Sequence, residues 1–498
     1  GLSPDAVTFI CILKACGQIG AIEKGKQIHD EIVRRDLLEK DVVLGTALVD
    51  MFAKCTTMQK AQEVFDHLPN RDVSSWNVLI AGHSELGQDK EVLDCFTLMQ
   101  YDGFSPNSIT FIYVLKACGN FKSINLGKEI HAQVLREGSH EDDILIDTAL
   151  LDMYAKCGEL MKAQEIFDQL PIRNIVSWNA LISGYAMNGY TKEALDCFRR
   201  MKCGGLSPNE ATFICLLKAC GALADHAKGE ELHAEIMKGG LLEKCTSVGA
   251  ALVDMYAKYG LLSNAEQVFD RLVMRNVVSW NCLIAGYVKH GYNEEALRCF
   301  ELMQVQRLED HAITPTTVTF VCSLKACSNI ENGQAIHSQT VLHAFDRDVF
   351  IADSLVVMYA KCGLLAEAQV LFHELHVQSG VSWVALAEGY AYHSFTEEAV
   401  KCLDQMLLEK LVLDVALLVC NLKLCGIVGS TFLSLMFHCE IVKEGFASYI
   451  CVVSTIIYQY SKQGLLIETK ETFFELLVRD INAWTSLISA YAEHDYQQ

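Results

Sequence analysis

All five tryptophans of the chain fall on one regular lattice. They lie about 102 residues apart, each in similar sequence such as VSWNALISGY over 176–185, at Trp76, Trp178, Trp280, Trp383 and Trp484. Self-similarity at a fixed period is typical of repeat architectures, in which each unit packs on its neighbours. The 498 residues are therefore predicted to form one uninterrupted array, although length alone would suggest roughly three globular domains.

Each long unit divides into three shorter ones. One begins near the tryptophan (175–209), one carries TFIxxLKAC (108–143), and one carries ALxDMYAKCG (144–174). Their lengths are 35, 36 and 31 residues, and fourteen complete units run from Ala6 to Asp480. Units of this size are typical of paired helices.

The apolar residues of a unit recur at helical spacing. Trp178, Leu181 and Tyr185 share one helix face. Asn188 begins a turn, and Thr191 is predicted to cap a second helix. Because a lone hairpin cannot bury its apolar stripe, neighbouring hairpins must stack around one core. The predicted fold is an all-α, right-handed superhelical solenoid of about fourteen complete helix pairs.

The composition restricts the function. A formal net charge of −21 opposes non-specific attraction to phosphate or to anionic lipid. The 21 cysteines are interpreted as thiols, because a long acidic chain is typical of a reducing compartment. The chain has no Cys-x-x-Cys and no phosphate-binding glycine loop. Neither a metal nor another cofactor is therefore predicted.

Three motifs recur in fixed order. SWNALISGY (177–185), TFICLLKAC (212–220) and ALLDMYAKCG (149–158) resemble the P-type, L-type and S-type units of plant pentatricopeptide repeat proteins of the PLS subgroup. The resemblance covers essentially the whole chain as a single solenoid, 1–498. It divides the chain into L-S-P triplets, the last with an incomplete P-type repeat, at 6–107, 108–209, 210–316, 317–414 and 415–498.

The resemblance implies sequence-specific binding of single-stranded RNA, with one nucleotide read per repeat. Members of this family act in the mitochondrion or chloroplast, often in C-to-U editing. The chain is therefore expected to be the recognition part of an editing factor or of an RNA processing factor. Editing-complex proteins or a deaminase supplied in trans are its other expected partners, and no membrane contact is expected.

A protein-binding scaffold of the tetratricopeptide kind is the alternative. Its hairpins of about 34 residues have a similar apolar pattern, and the negative charge would suit such a scaffold. The alternation of 35, 36 and 31 residues argues against it.

The histidine segments do not indicate an enzyme. His-x-Glu occurs at His29 and His233, and zinc deaminases combine such a segment with a downstream Pro-Cys-x-x-Cys. The matching positions at His131 and His337 read His-Ala-Gln and His-Ser-Gln, and the second half of the signature does not occur. The histidines are predicted to be structural, and the chain is predicted to be no enzyme.

One stretch, Val415 to Phe437, is apolar enough to suggest a membrane span. Aligned with 210–245, it keeps a lysine at Lys423 and a histidine at His438. A membrane span would accommodate Lys423 only at substantial cost. The stretch is therefore interpreted as a degraded L-type repeat.

A lysine recurs at one position of all five S-type units. In the last helical turn a lysine favours the helix dipole, whereas the resemblance implies a row of cations along a concave groove that contacts the RNA backbone. Both interpretations can hold together, and the lysines are Lys54, Lys156, Lys258, Lys361 and Lys462.

Asparagine recurs at the fifth place of three P-type units. An exposed Asn is a mediocre helix former, so helix propensity does not explain it, whereas a carboxamide offers a donor and an acceptor to a base edge. In the family, the fifth and last residues of a unit choose the base. The implied base-binding pairs are Thr46 with Asp72, Asn77 with Asn107, Thr148 with Asn174, Asn179 with Asn209, Ala250 with Asn276, Asn281 with Thr316, and Ser454 with Asp480.

The same family rule implies an RNA register. Thr or Ser with Asp favours G, Thr or Ser with Asn favours A, and Asn with Asn favours C and then U. Read from Thr46, the expected target is 5′-GYNAYNNYNNNNG-3′, with C favoured at the first two Y places.

Overall fold

The computed structural model describes residues 4–38, 41–138, 144–223, 225–309, 313–343, 345, 348–375, 378–409, 415–476 and 479–493. In these ranges the regular secondary structure is helical, and no strand occurs in them. Fourteen complete helix pairs, one short helix between two of them and one further helix at the end can be traced there. The predicted all-α solenoid of about fourteen pairs is confirmed.

The chain divides into two compact units, Gly1–Met255 and Tyr256–Gln498. Unit 1 contains α1 (Ala6–Ile19), α2 (Ile22–Arg34), α3 (Val42–Lys54), α4 (Met58–Asp66), α5 (Val73–Glu85), α6 (Asp89–Tyr101), α7 (Ser108–Asn120), α8 (Ile124–Arg136), α9 (Ile144–Lys156), α10 (Leu160–Gln169), α11 (Ile175–Met187), α12 (Thr191–Cys203), α13 (Glu210–Leu223), α14 (His226–Lys238) and the short α15 (Leu241–Lys244). The division falls within α16 (Thr246–Tyr259).

Unit 2 continues the same alternation of helices. It contains α17 (Leu262–Arg271), α18 (Val277–Lys289), α19 (Asn293–Glu309), α20 (Thr317–Ala326), α21 (Ile330–Leu342), α22 (Val349–Lys361), α23 (Leu365–Glu374), α24 (Gly380–Tyr392), α25 (Thr396–Leu408), α26 (Val415–Val428), α27 (Thr431–Lys443), α28 (Ile450–Lys462), α29 (Leu466–Glu475) and α30 (Ile481–Glu493).

The two helices of a pair pack differently on their neighbours. First helices of consecutive pairs lie against each other, as α7, α9 and α11 do in unit 1 and α20, α22 and α24 do in unit 2. Within the described ranges, successive second helices do not pack as closely. Because the first helices are the more closely spaced, they form the inner layer of each stack, the first-helix layer. The second helices form the second-helix side.

Helix α11 ends where the sequence predicts a turn. Asn188 follows its last residue, and Gly189 has a φ of 81°, a left-handed conformation that glycine adopts without steric cost. Thr191, predicted to cap the second helix, is instead the first residue of α12, after Tyr190. The Thr191 hydroxyl is buried and donates to the Ala219 carbonyl at 3.4 Å. Packing on the next pair therefore explains this threonine, and the predicted cap is wrong.

Each tryptophan joins its helix pair to the preceding one. Its ring stands edge-on to a phenylalanine of the preceding second helix, a favourable aromatic geometry. The ring centroids lie 4.6 Å apart in four repeats and 4.8 Å apart in the last, for Phe65–Trp76, Phe167–Trp178, Phe269–Trp280, Phe372–Trp383 and Phe473–Trp484. The first four tryptophans are buried, whereas Trp484 is 51% exposed.

A glycine of each of the first four P-type first helices lies directly against an alanine of the preceding S-type helix. A Cβ atom built on Gly184 would lie 2.4 Å from the Cβ of Ala155. The same contact occurs between Gly286 and Ala257 in unit 2. The Ser-Gly-Tyr part of the motif therefore reflects a close approach of two helices.

We expect Gly184→Ala to destabilise the chain by about 1 to 3 kcal/mol, because α9 and α11 must move apart to accept the methyl group. Gly17→Ala is the matched control, since its Cβ would meet only ordinary contacts at 3.4 Å from Met51 and Lys54. It should be neutral or stabilise by up to about 1 kcal/mol, because alanine favours the helix. Urea denaturation followed by circular dichroism measures both changes. Equal effects at the two sites would contradict the close approach.

The apolar stretch from Val415 to Phe437 forms parts of two helices. Helix α26 ends at Val428, and Gly429, with a φ of 75°, leads into Ser430, whose side chain caps α27. The segment therefore has the helix-pair form expected of a degraded repeat. Among the helices in the described ranges, none is long and apolar enough to cross a bilayer.

Candidate functional site

The predicted base-reading residues meet where consecutive first helices adjoin. The fifth residue of a unit lies in the second turn of a first helix, and the last residue directly precedes the next first helix. In the first P-type unit, Asn77 Nδ2 donates to Asn107 Oδ1 at 2.9 Å, and Thr110 Oγ1 donates to Asn77 Oδ1 at 2.6 Å. Two residues separated by thirty positions in sequence thus form one polar group.

The second P-type unit repeats this arrangement. Asn179 Nδ2 donates to Asn209 Oδ1 at 3.0 Å, and Thr212 Oγ1 donates to Asn179 Oδ1 at 2.7 Å. The recurrence indicates a built feature of the P-type unit, because unrelated surface amides would not meet twice in one geometry.

The third P-type unit keeps the contact with a different partner. Asn281 Nδ2 donates to Thr316 Oγ1 at 3.1 Å, and Thr319 Oγ1 donates to Asn281 Oδ1 at 2.7 Å. All three predicted P-type pairs are therefore hydrogen-bonded neighbours in the first-helix layer.

The fifth-place asparagines are less accessible than the sequence suggests. Asn77 is 6% exposed, and Asn179 and Asn281 are half-buried. The expectation of an exposed Asn is wrong for Asn77, because its hydrogen bonds to Asn107 and Thr110 lower the cost of burying its amide. The last-place residues Asn107 and Asn209 are the exposed members of their pairs.

The last-place residues also cap helices. Asn107 Oδ1 accepts from the Thr110 backbone N–H at 3.1 Å, and Thr110 Oγ1 accepts from the Asn107 N–H at 3.2 Å, which completes a capping box. Asp72 with Ser75 forms the same box. Helix capping is thus a second reason for Asn and Asp at this place. The polar residue three positions later is the sequence signal that could have revealed it.

The pairs of the S-type units are more varied. Ser454 Oγ donates to Asp480 Oδ1 at 3.0 Å. The Thr148 hydroxyl instead donates to Ile144 O of its own helix at 2.7 Å, while Asn174 caps α11. Among the described residues, then, direct contact between the two predicted residues is not a rule of S-type units.

The remaining predicted base-binding residues differ in what they offer. Thr46 Oγ1 is buried and has no hydrogen-bond partner among the described residues, whereas Asp72 caps α5. Ala250 is 2% exposed and brings no polar side-chain atom. Asn276 caps α18 in a capping box with Ser279.

The recurring lysines lie at helix ends, as the dipole interpretation requires. Lys54 and Lys156 are the last residues of α3 and α9. Each makes an ion pair at 2.7 Å with a carboxylate one turn earlier, Asp50 and Asp152 respectively. Both of these cations are therefore locally balanced by anions.

The other three lysines are exposed. Lys361 and Lys462 end α22 and α28, and Lys258 lies one residue before the end of α16. At the place of Asp152, Lys258 keeps an aspartate, Asp254. Lys361 has Val357 there, and Lys462 has Tyr458. The carboxylate partner is therefore a feature of some repeats and not of all.

Histidines of the L-type units pack on aromatic rings, which are tyrosines beside His337 and His438 and a phenylalanine, Phe52, beside His29. The Nδ1 atom of His337 lies 2.9 Å from Tyr359 Oη, and that of His438 lies 2.8 Å from Tyr460 Oη. Burial lowers the pKa of both His337 and His438, because desolvation disfavours the imidazolium form. Within the described ranges, no three His, Cys, Asp or Glu side chains come together as a metal site would require.

Two family models match the chain. The model of the PPR repeat family matches 71–120, 173–222 and 275–329, and that of the PPR repeat matches 148–175, 251–277 and 381–411.

Similar proteins occur in Arabidopsis thaliana. A chloroplastic pentatricopeptide repeat-containing protein is 34% identical over 421 residues, which are 84% of this chain and 67% of that protein. A mitochondrial one is 29% identical over 491 residues, 98% of this chain and 63% of that protein. The chain spans about half to two thirds of the length of the curated relatives it matches. The crystal structure of the maize pentatricopeptide repeat protein PPR10 is 17% identical with a TM-score of 0.48, covering 99% of this chain and 82% of that one.

Proposed function

Since this chain belongs to the pentatricopeptide repeat family, we propose that it binds single-stranded RNA, one nucleotide per repeat. The observation that carries the proposal is the meeting of fifth and last residues in the first-helix layer. Between Asn77 and Asn107, the hydrogen bond that joins the two side-chain amides is 2.9 Å long. Two side chains held together in this way can face one base edge as a unit, which suits recognition of unpaired bases.

The proposed array is a single solenoid over 1–498, of the PLS subgroup, with the L-S-P triplets given above. Its base-binding residues are the seven predicted pairs. The Asn77 amide donates one N–H to Asn107 and has a second one, and the N–H groups of the exposed Asn107 amide are further donors. These groups match the acceptors of pyrimidine bases. The proposed target is 5′-GYNAYNNYNNNNG-3′.

We propose that in the cell the chain is the recognition part of a C-to-U editing factor or of an RNA processing factor. The chloroplastic and mitochondrial names of relatives support an organellar location. The proposal has no catalytic step in these residues, so a deaminase or other editing-complex proteins would act in trans. A purified chain mixed with a cytidine-containing target RNA should leave every cytidine unchanged.

Filter binding with single-stranded RNA tests the proposal. The chain should retain an RNA containing 5′-GYNAYNNYNNNNG-3′ and should retain its fully base-paired form much less, because duplexed bases hide their pairing edges. A scaffold that binds only proteins would retain neither RNA. Equal, weak retention of every nucleic acid would also contradict the proposal.

The lysine row is proposed to contact the RNA backbone, which leads to a prediction about its partner anions. Asp152→Asn should strengthen RNA binding by about threefold, because it leaves Lys156 without its 2.7 Å carboxylate partner and free to neutralise a phosphate. Titrations at several salt concentrations would measure the affinity and its salt slope.

Glu165→Gln provides the matched control. It removes the same charge from the ion pair with Lys162 at 2.9 Å on α10, a second helix. This substitution should leave RNA binding unchanged, because that pair lies on the second-helix side. If both variants strengthened binding equally, total charge and not the lysine row would be responsible.

A further inference from the structure

A groove opens on the second-helix side of unit 1, between α4 and α6. Its volume is about 850 Å³, and its floor contains Phe65 and Trp76. Leu98 lies at its edge and is 52% exposed. Most of its lining residues belong to the second helices α4 and α6, and none of them is a proposed RNA contact. We call it the α4–α6 groove.

The wall of the α4–α6 groove is acidic. Four carboxylates line it that pair with no lysine or arginine within 41–138, namely Glu63, Asp66, Glu91 and Asp94. The one guanidinium among the lining residues belongs to Arg71. It lies over the Phe65 ring at 4.7 Å, and backbone carbonyls and Asp102 already occupy its N–H groups. The groove therefore presents negative charge over an aromatic floor, a combination that attracts cations.

The floor also contains an unused hydrogen-bond donor. Trp76 is 3% exposed, and its Nε1 has no hydrogen-bond partner among the residues that the structure describes. In the third P-type unit the equivalent Trp280 Nε1 donates to Gln306 Oε1 at 3.2 Å. The residue equivalent to Gln306 is Asp102, which lines the groove. The orphan Trp76 donor thus lies on the side where a ligand atom could accept its hydrogen, and a buried donor without a partner is costly.

The next repeat triplet fills the equivalent place with its own side chain. Arg200, which corresponds to Leu98, lies over the Trp178 ring at 5.6 Å. Carboxylates equivalent to Asp94 and Glu63 are paired there, Asp196 with Arg199 at 2.6 Å and Glu165 with Lys162 at 2.9 Å. The next triplet therefore shows which group the equivalent place accepts: a guanidinium over the tryptophan.

Later triplets also place a cation in this part of the repeat. Arg298 and Lys401 stand where the first triplet has Asp94. Within the described ranges Trp383 Nε1 also has no hydrogen-bond partner, but the repeat of Trp383 contains Lys401. Of these four complete P-type units, the first alone has neither Arg nor Lys at the places of Asp94 and Leu98.

We propose that the α4–α6 groove binds an arginine side chain from a basic segment of a partner protein. The guanidinium lies over Trp76 as Arg200 lies over Trp178, and the carboxylates of Glu91 and Asp94 balance its charge. A backbone carbonyl of the same segment accepts the hydrogen of Trp76 Nε1. Nucleic acid is excluded as the occupant, because phosphates would meet four unpaired carboxylates.

Fluorescence anisotropy of a labelled arginine-rich peptide, titrated with the full chain, tests the proposal. Leu98→Arg installs the side chain that fills the equivalent site of the next triplet and should weaken peptide binding by about tenfold or more. Glu91→Gln combined with Asp94→Asn should weaken it similarly. Both changes affect exposed side chains, so circular dichroism should show an unchanged fold.

Two controls separate a defined site from general attraction to an acidic chain. Glu193→Gln with Asp196→Asn removes the same charges from the next triplet and should change peptide affinity by less than about twofold. A peptide with citrulline in place of each arginine keeps the shape without the charge and should not bind. Parental affinity in Leu98→Arg, equal loss in the Glu193/Asp196 control, or binding of the citrulline peptide would each overturn the proposal. RNA retention on filters should be unaffected in every variant.

Discussion

Asn174→Asp is expected to change the preferred base at the fourth place of the RNA from A to G. The parent should bind the A-containing target about tenfold better than its G-containing counterpart, by analogy with the discrimination of good base contacts. The variant should reverse that order. A carboxylate only accepts hydrogen bonds and suits the N–H groups of guanine, whereas the asparagine amide both donates and accepts, as adenine requires.

The substitution should leave the fold intact, because an aspartate already caps the first helix of another repeat. Asn174 caps α11 by accepting from the Val176 and Ser177 backbone N–H groups. Asp72 occupies the same place before α5 and accepts from Ser75 N at 2.8 Å. Asp and Asn are about equally good helix caps. An altered base preference would therefore report recognition and not unfolding.

The reciprocal change supplies the control. Asp72→Asn should shift the first place from G toward A and leave the fourth place untouched. Competition binding with RNAs that differ at a single place measures both shifts. The proposed register is wrong if Asn174→Asp leaves the preference at the fourth place unchanged, or if it alters a different place.

Trp178→Ala should destabilise the chain by about 3 to 5 kcal/mol, the cost of removing a large buried aromatic side chain. Trp178 is 6% exposed and stands edge-on to Phe167 at 4.6 Å. It lies on the joint between one helix pair and the preceding one. Because repeat stacks are held together by contacts between neighbours, this loss should weaken the joint itself. Urea denaturation followed by far-ultraviolet circular dichroism measures the change.

Trp484→Ala is the matched control for that prediction. It removes the same side chain from the same place of a repeat, and its ring also meets a phenylalanine, Phe473, at 4.8 Å. Trp484 is however 51% exposed, so much less apolar surface returns to water. Its loss should cost clearly less than that of Trp178. Comparable losses at the two sites would show that burial at the joint is not what the tryptophan contributes.

Where the structure departs from expectation, the departures concern neighbours in space. Thr191 was predicted to cap a helix and instead packs on the next pair through Ala219. Asn77 was predicted to be exposed, but it is buried and its amide forms hydrogen bonds with Asn107 and Thr110. Neither partner could be identified from local spacing, because each lies about thirty residues away along the chain.

The sequence by itself determined the helices, their pairing and the number of repeats. Apolar spacing near 3.6 residues and a turn such as Asn188-Gly189 act within a few residues, so they can be recognised without a structure. Only the tertiary structure decided which polar groups meet and which do not. It brings Asn77 to Asn107 and a carboxylate to Lys156, and it leaves the Trp76 Nε1 donor without a partner among the described residues. Those contacts depend on the distances between packed helices. A hydrogen bond or ion pair is lost when its atoms move apart by about an ångström or two, and no residue pattern specifies helix distances that finely.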